Sequence, residues 1–350
     1  MSFSRRHFLA ASSSLIAASN IIPSLGSDDE IERELTRESV NSVRRGMEWL
    51  NRAKCANGGY GQESKQWADI GCTATVGLAM MADGSTPLQG PRKHHVREIV
   101  NFLLKKVEVM PKQNITSKTG TQLQNKIGAQ AHTFFALLFL SQVSGESHNT
   151  QATLAAVKKL VTSVVDAQKG DGSWGNTSWA PVLGTVMGWT SLRSSHFAGF
   201  DVGGSPEKTA EFLIDTLRNN LSKPQNHWMH NLYKNAAGIR VLYAMGKENE
   251  PIVKKAFDQV LKLVTDGKTA FNQAGGEEYL AFHLLTETTL QKGGKDWATW
   301  YPVVRDKIIS VQNKDGSWTG HHCITSRTFC TAAACLVLSA PNRYLPISQK

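Results

Sequence analysis

Cys72 and Cys330 open two segments of matching character: Cys72, Thr73, Ala74 and Thr75 correspond to Cys330, Thr331, Ala332 and Ala333. Asp69 stands one turn before Cys72. His321, His322 and Cys323 lie on the approach to Cys330, and His132 sits at a comparable level of a third apolar segment. Thiolate, imidazole and carboxylate converging from facing helices are the donor set of a tetrahedral zinc site. Cys72, Cys330, His322, Asp69 and His132 therefore form a candidate metal or thiol site, with zinc as the cofactor it would take. The residues allow three readings: thiols packed as small hydrophobes, a Cys72–Cys330 disulfide, or zinc or a thiolate nucleophile activated by a neighbouring histidine.

A second set of polar residues begins other apolar segments: His230, Tyr233, Lys234, Glu277, Glu278, Tyr279 and Arg327. Of these, His230, Tyr233, Glu278 and Arg327 are candidates to line one end of a cavity. Glu277 and Glu278 also suit a helix N-terminus, where the backbone dipole favours negative charge. Trp179, Trp189, Trp228, Trp297 and Trp300 supply aromatic surface for a cavity wall or for core packing. Glycosidases need two carboxylates roughly 5–9 Å apart across a cleft; Glu277, Glu278 and Asp69 are the candidates for that chemistry.

The elements that would position these groups come from an internal repeat. Gln168, Asp171, Gly172, Ser173 and Trp174 recur as Gln312, Asp315, Gly316, Ser317 and Trp318. That separation divides into three units of about 48 residues, a helical-repeat length. Each copy follows an amphipathic helix (Leu154 to Val165; Val303 to Val311) and precedes an apolar one (Val182 to Leu192; Thr328 to Leu338). Asp-Gly-Ser stops the first helix, because glycine adopts the left-handed cap and Asp and Ser favour turns. Weaker copies pair Val43–Leu50 with Cys72–Met81, Val96–Val107 with Gln130–Val143, Lys208–Leu217 with Tyr233–Met245, and Val253–Val264 with Glu278–Thr288. The pattern predicts an all-α fold of six helical hairpins. The inner helices are rich in Ala, Gly, Thr and Ser, so they can converge around an axis as a closed (α/α)6 toroid rather than an open solenoid. In a ring, hairpins one and six are neighbours, which is what would bring Cys72 towards Cys330.

The pattern Gln-x-x-x-Gly-x-Trp, carried by Gln168, Gly172, Trp174 and by Gln312, Gly316, Trp318, resembles the repeat of squalene and related triterpene cyclases. A weaker copy at Lys54, Gly58 and Tyr60 keeps the glycine and an aromatic but loses the glutamine. The resemblance implies an α/α toroid of the terpenoid cyclase and protein prenyltransferase superfamily, in which glutamine and tryptophan tie the outer helices together. It also implies a small, apolar ligand in the central cavity. The cyclase Asp-x-Asp-Asp acid is absent, however, since Asp171 and Asp315 sit in hairpin turns and Asp28-Asp29 precedes the first helix. The zinc-binding branch is matched only by Asp69-Ile70-Gly71-Cys72, not by its Asp-x-Cys pair. The segment from Pro341 to Ile347 resembles the tail of exported bacterial members.

Ser4-Arg5-Arg6-His7-Phe8-Leu9 followed by a weakly apolar stretch to Ile22 resembles a twin-arginine signal, with small residues for cleavage after Ser19 or Gly26. The expected organisation is a signal over 1–26, a leader over 27–37, one toroid domain over 38–340 and a tail over 341–350, with a periplasmic or secreted location. No later apolar run reaches membrane length. The net charge of +10 over 350 residues is scattered, without the basic stripe that nucleic acid requires. The functions left open are an exported toroid binding a small apolar ligand, a non-catalytic interaction scaffold in the cell envelope, and a carbohydrate-active toroid.

Overall fold

A computed structural model describes residues 34–111, 115, 120–174, 178–223, 228–265 and 271–348. The expected signal lies outside them. Outer helices are α1 (Arg37–Ala53), α3 (Lys93–Glu108), α6 (Thr150–Asp166), α8 (Ser205–Ser222), α10 (Pro251–Thr265) and α12 (Gly294–Ser310). Inner helices are α2 (Ile70–Ala82), α5 (Ala131–Val143), α7 (Pro181–Phe197), α9 (Trp228–Ala244), α11 (Gly276–Lys292) and α13 (Arg327–Leu338). A short α4 (Gln122–Ile127) stands outside this alternation.

Burial separates the two layers. In α1 the buried residues include Ser39, Ser42, Val43, Gly46, Met47 and Leu50, a single stripe at helical spacing. In α2 and α5 every residue is buried, because each inner helix has ring neighbours on both sides and outer helices behind it. Each inner helix packs on the next, and α13 packs back on α2, so the ring closes. Among the described residues no helix is long and apolar enough to cross a membrane.

The two sharp repeats do the same job twice. Gln168 Nε2 donates to the carbonyls of Gly172 (3.1 Å) and Ser205 (2.9 Å), joining its turn to α8. Gln312 Nε2 donates to Gly316 O and to Ser42 O, each at 2.9 Å, joining the last turn to α1. Trp174 and Trp318 are buried, and their indole N–H groups donate to Val164 O (2.9 Å) and Ile308 O (2.8 Å). Gly172 and Gly316 have φ of +83° and +94°, and a Cβ there would lie 2.2 Å from Lys208 O and 2.6 Å from Arg45 O. Both conformation and clearance demand glycine. In the weak first copy, Lys54 replaces the glutamine and bridges to Glu98 on α3, a different bond with the same reach.

All six inner helices run in one direction, giving the ring an N-terminal and a C-terminal mouth. The short helix α4 crosses the first. Its Leu123 packs on Gly71, its Gln122 amide donates to Thr325 Oγ1 (2.7 Å), and its Asn125 and Lys126 carbonyls accept from Trp179 N (3.1 Å) and Ala180 N (2.9 Å). At the C-terminal mouth the tail turns inward, with Leu345 and Ile347 buried. The space beside Leu345 and Ile347, bounded by Leu78, Leu138, Met187 and Leu284, amounts to about 10 Å³.

Candidate functional site

The N-terminal mouth gathers most of the polar residues singled out in the sequence. Asp69 caps α2, its Oδ1 accepting from Cys72 N at 2.8 Å. Its Oδ2 lies 3.3 Å from His132 Nε2, both side chains fully buried. Burial works to raise the Asp69 pKa, but the contacts with His132 and the Cys72 N–H outweigh it and hold the carboxyl below its ordinary value. The same His132 Nε2 lies 3.2 Å from Thr121 Oγ1, while Nδ1 has no hydrogen-bond partner. A nucleophile–His–Asp relay uses the two ring nitrogens for different partners. Here both partners share one nitrogen, so the trio is a buried structural tie.

The cysteines do not assemble a metal centre. Cys72 Sγ lies 3.5 Å from Ser326 Oγ, and Cys330 Sγ approaches Ile324 O at 3.9 Å. All five cysteines are free. Burial first, then the Asp69 charge, pushes the Cys72 thiol well above its usual range; burial and Glu277 do the same to Cys330. A nucleophile must be thiolate, and these environments oppose that form. His322 is exposed on its loop with a left-handed φ of 61°, apart from this buried group. Among the described residues no three His, Cys, Asp or Glu side chains are grouped to hold a metal ion. Cys72, Cys330, His322, Asp69 and His132 are thus not grouped as zinc would require, and Cys72 and Cys330 lie in the apolar core.

A cluster that the sequence indicates only in part lies beside it. Lys126 of α4 places Nζ 3.2 Å from Glu277 Oε1, 3.4 Å from Cys323 Sγ and 5.0 Å from the centre of the Tyr233 ring. Glu277 Oε2 accepts from Ile324 N at 3.1 Å. Glu278 Oε2 accepts from Gly275 N at 2.6 Å, whereas its buried Oε1 has no hydrogen-bond partner. Burial and the adjoining Glu277 charge push the Glu278 carboxyl up to about 8. The repeat pattern does not point to Lys126, because α4 breaks it; an unpaired short helix between two hairpins is the available signal.

The remaining candidates divide. Tyr233 is buried in this cluster, and His230 is exposed with its ring 5.6 Å from that of Tyr233. Arg327 faces away from the axis, bonding to Asp315 and Ser317 and lying over Trp49, where it fixes a repeat turn. Trp179 is exposed; Trp297 stacks on Tyr301, and Trp300 donates to Thr286 Oγ1 at 3.0 Å between outer and inner helices. Trp297 and Trp300 pack elements together rather than walling a cavity. Asp69 and Glu277 are engaged and Glu278 is buried, so the three carboxylates do not face one another across an open cleft.

Neither a protein-family model nor a curated protein matches the chain. Solved structures do resemble it. The apo type II terpene cyclase MstE from Scytonema aligns with a TM-score of 0.56 and 15% identity, over 89% of this chain and 100% of that one. A single-site aspartate-to-asparagine variant of MstE, in complex with its substrate geranylgeranyl dihydroxybenzoate, aligns with a TM-score of 0.52 and 14% identity, over 89% and 99%. At this identity the likeness is one of architecture: the chain has a terpene cyclase-like, all-α toroidal fold.

Proposed function

We propose that the protein is a ligand-binding toroid that takes a small apolar or amphipathic molecule at its N-terminal mouth, holding the polar end with Glu278. The observation that carries this reading is the buried Glu278 Oε1 without a partner, on a carboxyl raised to about 8 and so protonated at neutral pH. A buried neutral carboxylic acid is a hydrogen-bond donor awaiting an acceptor. The same shift argues against cyclisation, since an acid weakened by burial is poorly suited to protonating a double bond. The absence of the Asp-x-Asp-Asp acid agrees with that. The substrate carried by the MstE complex supports a prenyl chain as the first probe. Entry would require α4 to yield at the mouth it crosses.

The test is calorimetric titration with geranylgeranyl dihydroxybenzoate. Glu278→Gln keeps a donor and should retain binding, Glu278→Leu should lose it, and wild-type affinity should fall above about pH 8. Equal affinity for wild type and Glu278→Leu would sink the assignment.

A second reading is a non-catalytic scaffold in the cell envelope, favoured by the small space left beside Leu345 and Ile347 and by the elements crossing both mouths. A pull-down from an envelope extract that recovers no partner counts against it. For either reading we propose the periplasmic or secreted location carried by Arg5 and Arg6 and the apolar stretch after them. Replacing both arginines with lysine and finding unchanged export would remove that support.

A further inference from the structure

At the C-terminal mouth the chain fills its own ring. Leu345 and Ile347 enter the axial space bounded by Leu78, Leu138, Met187 and Leu284, leaving the cavity of about 10 Å³, room for about one water. The grip on the tail is polar and local. Ile347 N donates to Gln142 Oε1 (3.2 Å), Gln291 Nε2 donates to Ile347 O (2.8 Å), and Ser348 Oγ donates to Glu287 Oε1 (3.1 Å). Two glutamines on facing inner helices thus hold the donor and the acceptor of one tail residue. Such clamps read backbone, and the pockets beside them read side chains.

The buried polar groups around this mouth are more numerous than the tail can satisfy. Gln142 lines the cavity, and its Nε2 has no partner. Glu287 also lines it and faces Arg240 Nη2 at 3.3 Å and His283 Nε2 at 3.6 Å, while Arg240 Nε is buried without a partner. A segment added only to complete a core would meet apolar neighbours, because buried polar groups without partners are costly. Segments held by few bonds also open at far lower free energy than the core.

We propose that residues 344–348 are a displaceable stopper: in cis they close an axial chamber that, once vacated, takes a linear hydrocarbon chain ending in a hydrogen-bond acceptor. Leu78, Leu138, Met187 and Leu284 receive the chain in place of Leu345 and Ile347, and Gln142 Nε2 donates to the acceptor. This inference rests on the reading of the ring as a ligand binder but not on Glu278, which lies at the opposite mouth.

The experiment is titration of farnesol into the full chain and into a chain ending at Asn342, each first shown to be folded by circular dichroism. If the mouth is open in at most about one molecule in ten, removing the stopper tightens apparent affinity by at least ~10-fold. A synthetic peptide of residues 343–350 should then compete with farnesol. Should the shortened chain fail to fold, Leu345→Ser/Ile347→Ser loosens the stopper while retaining the tail, and the same gain is expected. A folded shortened or loosened chain with unchanged affinity overturns the proposal, as does binding that the peptide leaves untouched. Glu278→Leu tests the other mouth alone, so loss of either result leaves the other standing.

Discussion

Lys126 Nζ and Glu277 Oε1 meet at 3.2 Å with both side chains almost wholly buried, joining the short helix α4 to the inner helix α11 across the ring's N-terminal mouth. Breaking a buried pair strands a charge. Lys126→Met should destabilise the fold by about 3–5 kcal/mol, whereas Lys126→Met/Glu277→Leu should recover most of that loss. Urea denaturation of the single and double variants measures both. A single variant as stable as wild type would show that the pair contributes nothing.

Glu278 makes stability depend on pH with a definite sign. Its carboxyl titrates near 4.5 when unfolded and at about 8 when folded. Between those values the folded state holds a proton that the unfolded state has released, so stability falls as pH rises through that window and levels off above it. Asp69 acts oppositely: its depressed folded pKa contributes stability above pH 3.8 that disappears in acid. Glu278→Gln should flatten the slope between about pH 5 and about pH 8 without altering the acid limb.

The buried thiols should be inert in the native protein. Cys72, Cys330 and Cys335 are fully buried, while Cys55 and Cys323 are partly exposed. A thiol reagent should modify the latter two first and reach the others only on unfolding. Cys72→Ser/Cys330→Ser should leave metal content and prenyl-ligand affinity unchanged. A loss of bound zinc on that replacement would restore the metal reading.

Trp318→Ala should cost about 3–5 kcal/mol, the range for emptying a large aromatic site in a core. Gly316→Ala should also be severe, because a Cβ would lie 2.6 Å from Arg45 O at a φ of +94°. Thermal unfolding of the pair checks this. The equivalent changes at Trp174 and Gly172 should behave alike, since the two turns share their bonding.

The hairpins were legible because burial is periodic in the outer helices and nearly continuous in the inner ones. Gln168 and Gln312 announced the turns, and their bonds to α8 and α1 are what the pattern implied. The site was less legible. Asp69, Cys72 and His132 do converge, yet the contacts that decide their chemistry come from Thr121 and Ser326, which carry no repeat signal. Arg327 misled because a residue at an inner-helix start can turn outward to Trp49. Lys126 escaped notice because α4 lies outside the periodicity, and Gln142 and Gln291 because the tail residue they hold, Ile347, lies outside it too.

The bond from Gln312 to Ser42 sutures the chain's last hairpin to its first helix. An open repeat array can fray from its ends and can begin folding before synthesis is finished. This molecule has no fraying end within its ring, so its hairpins should melt as one cooperative unit. The circle also remains incomplete until the sixth hairpin has been made, which places the decisive long-range contacts late in folding. A circular permutant opened at any hairpin turn would keep every one of those contacts and simply change which hairpin arrives last.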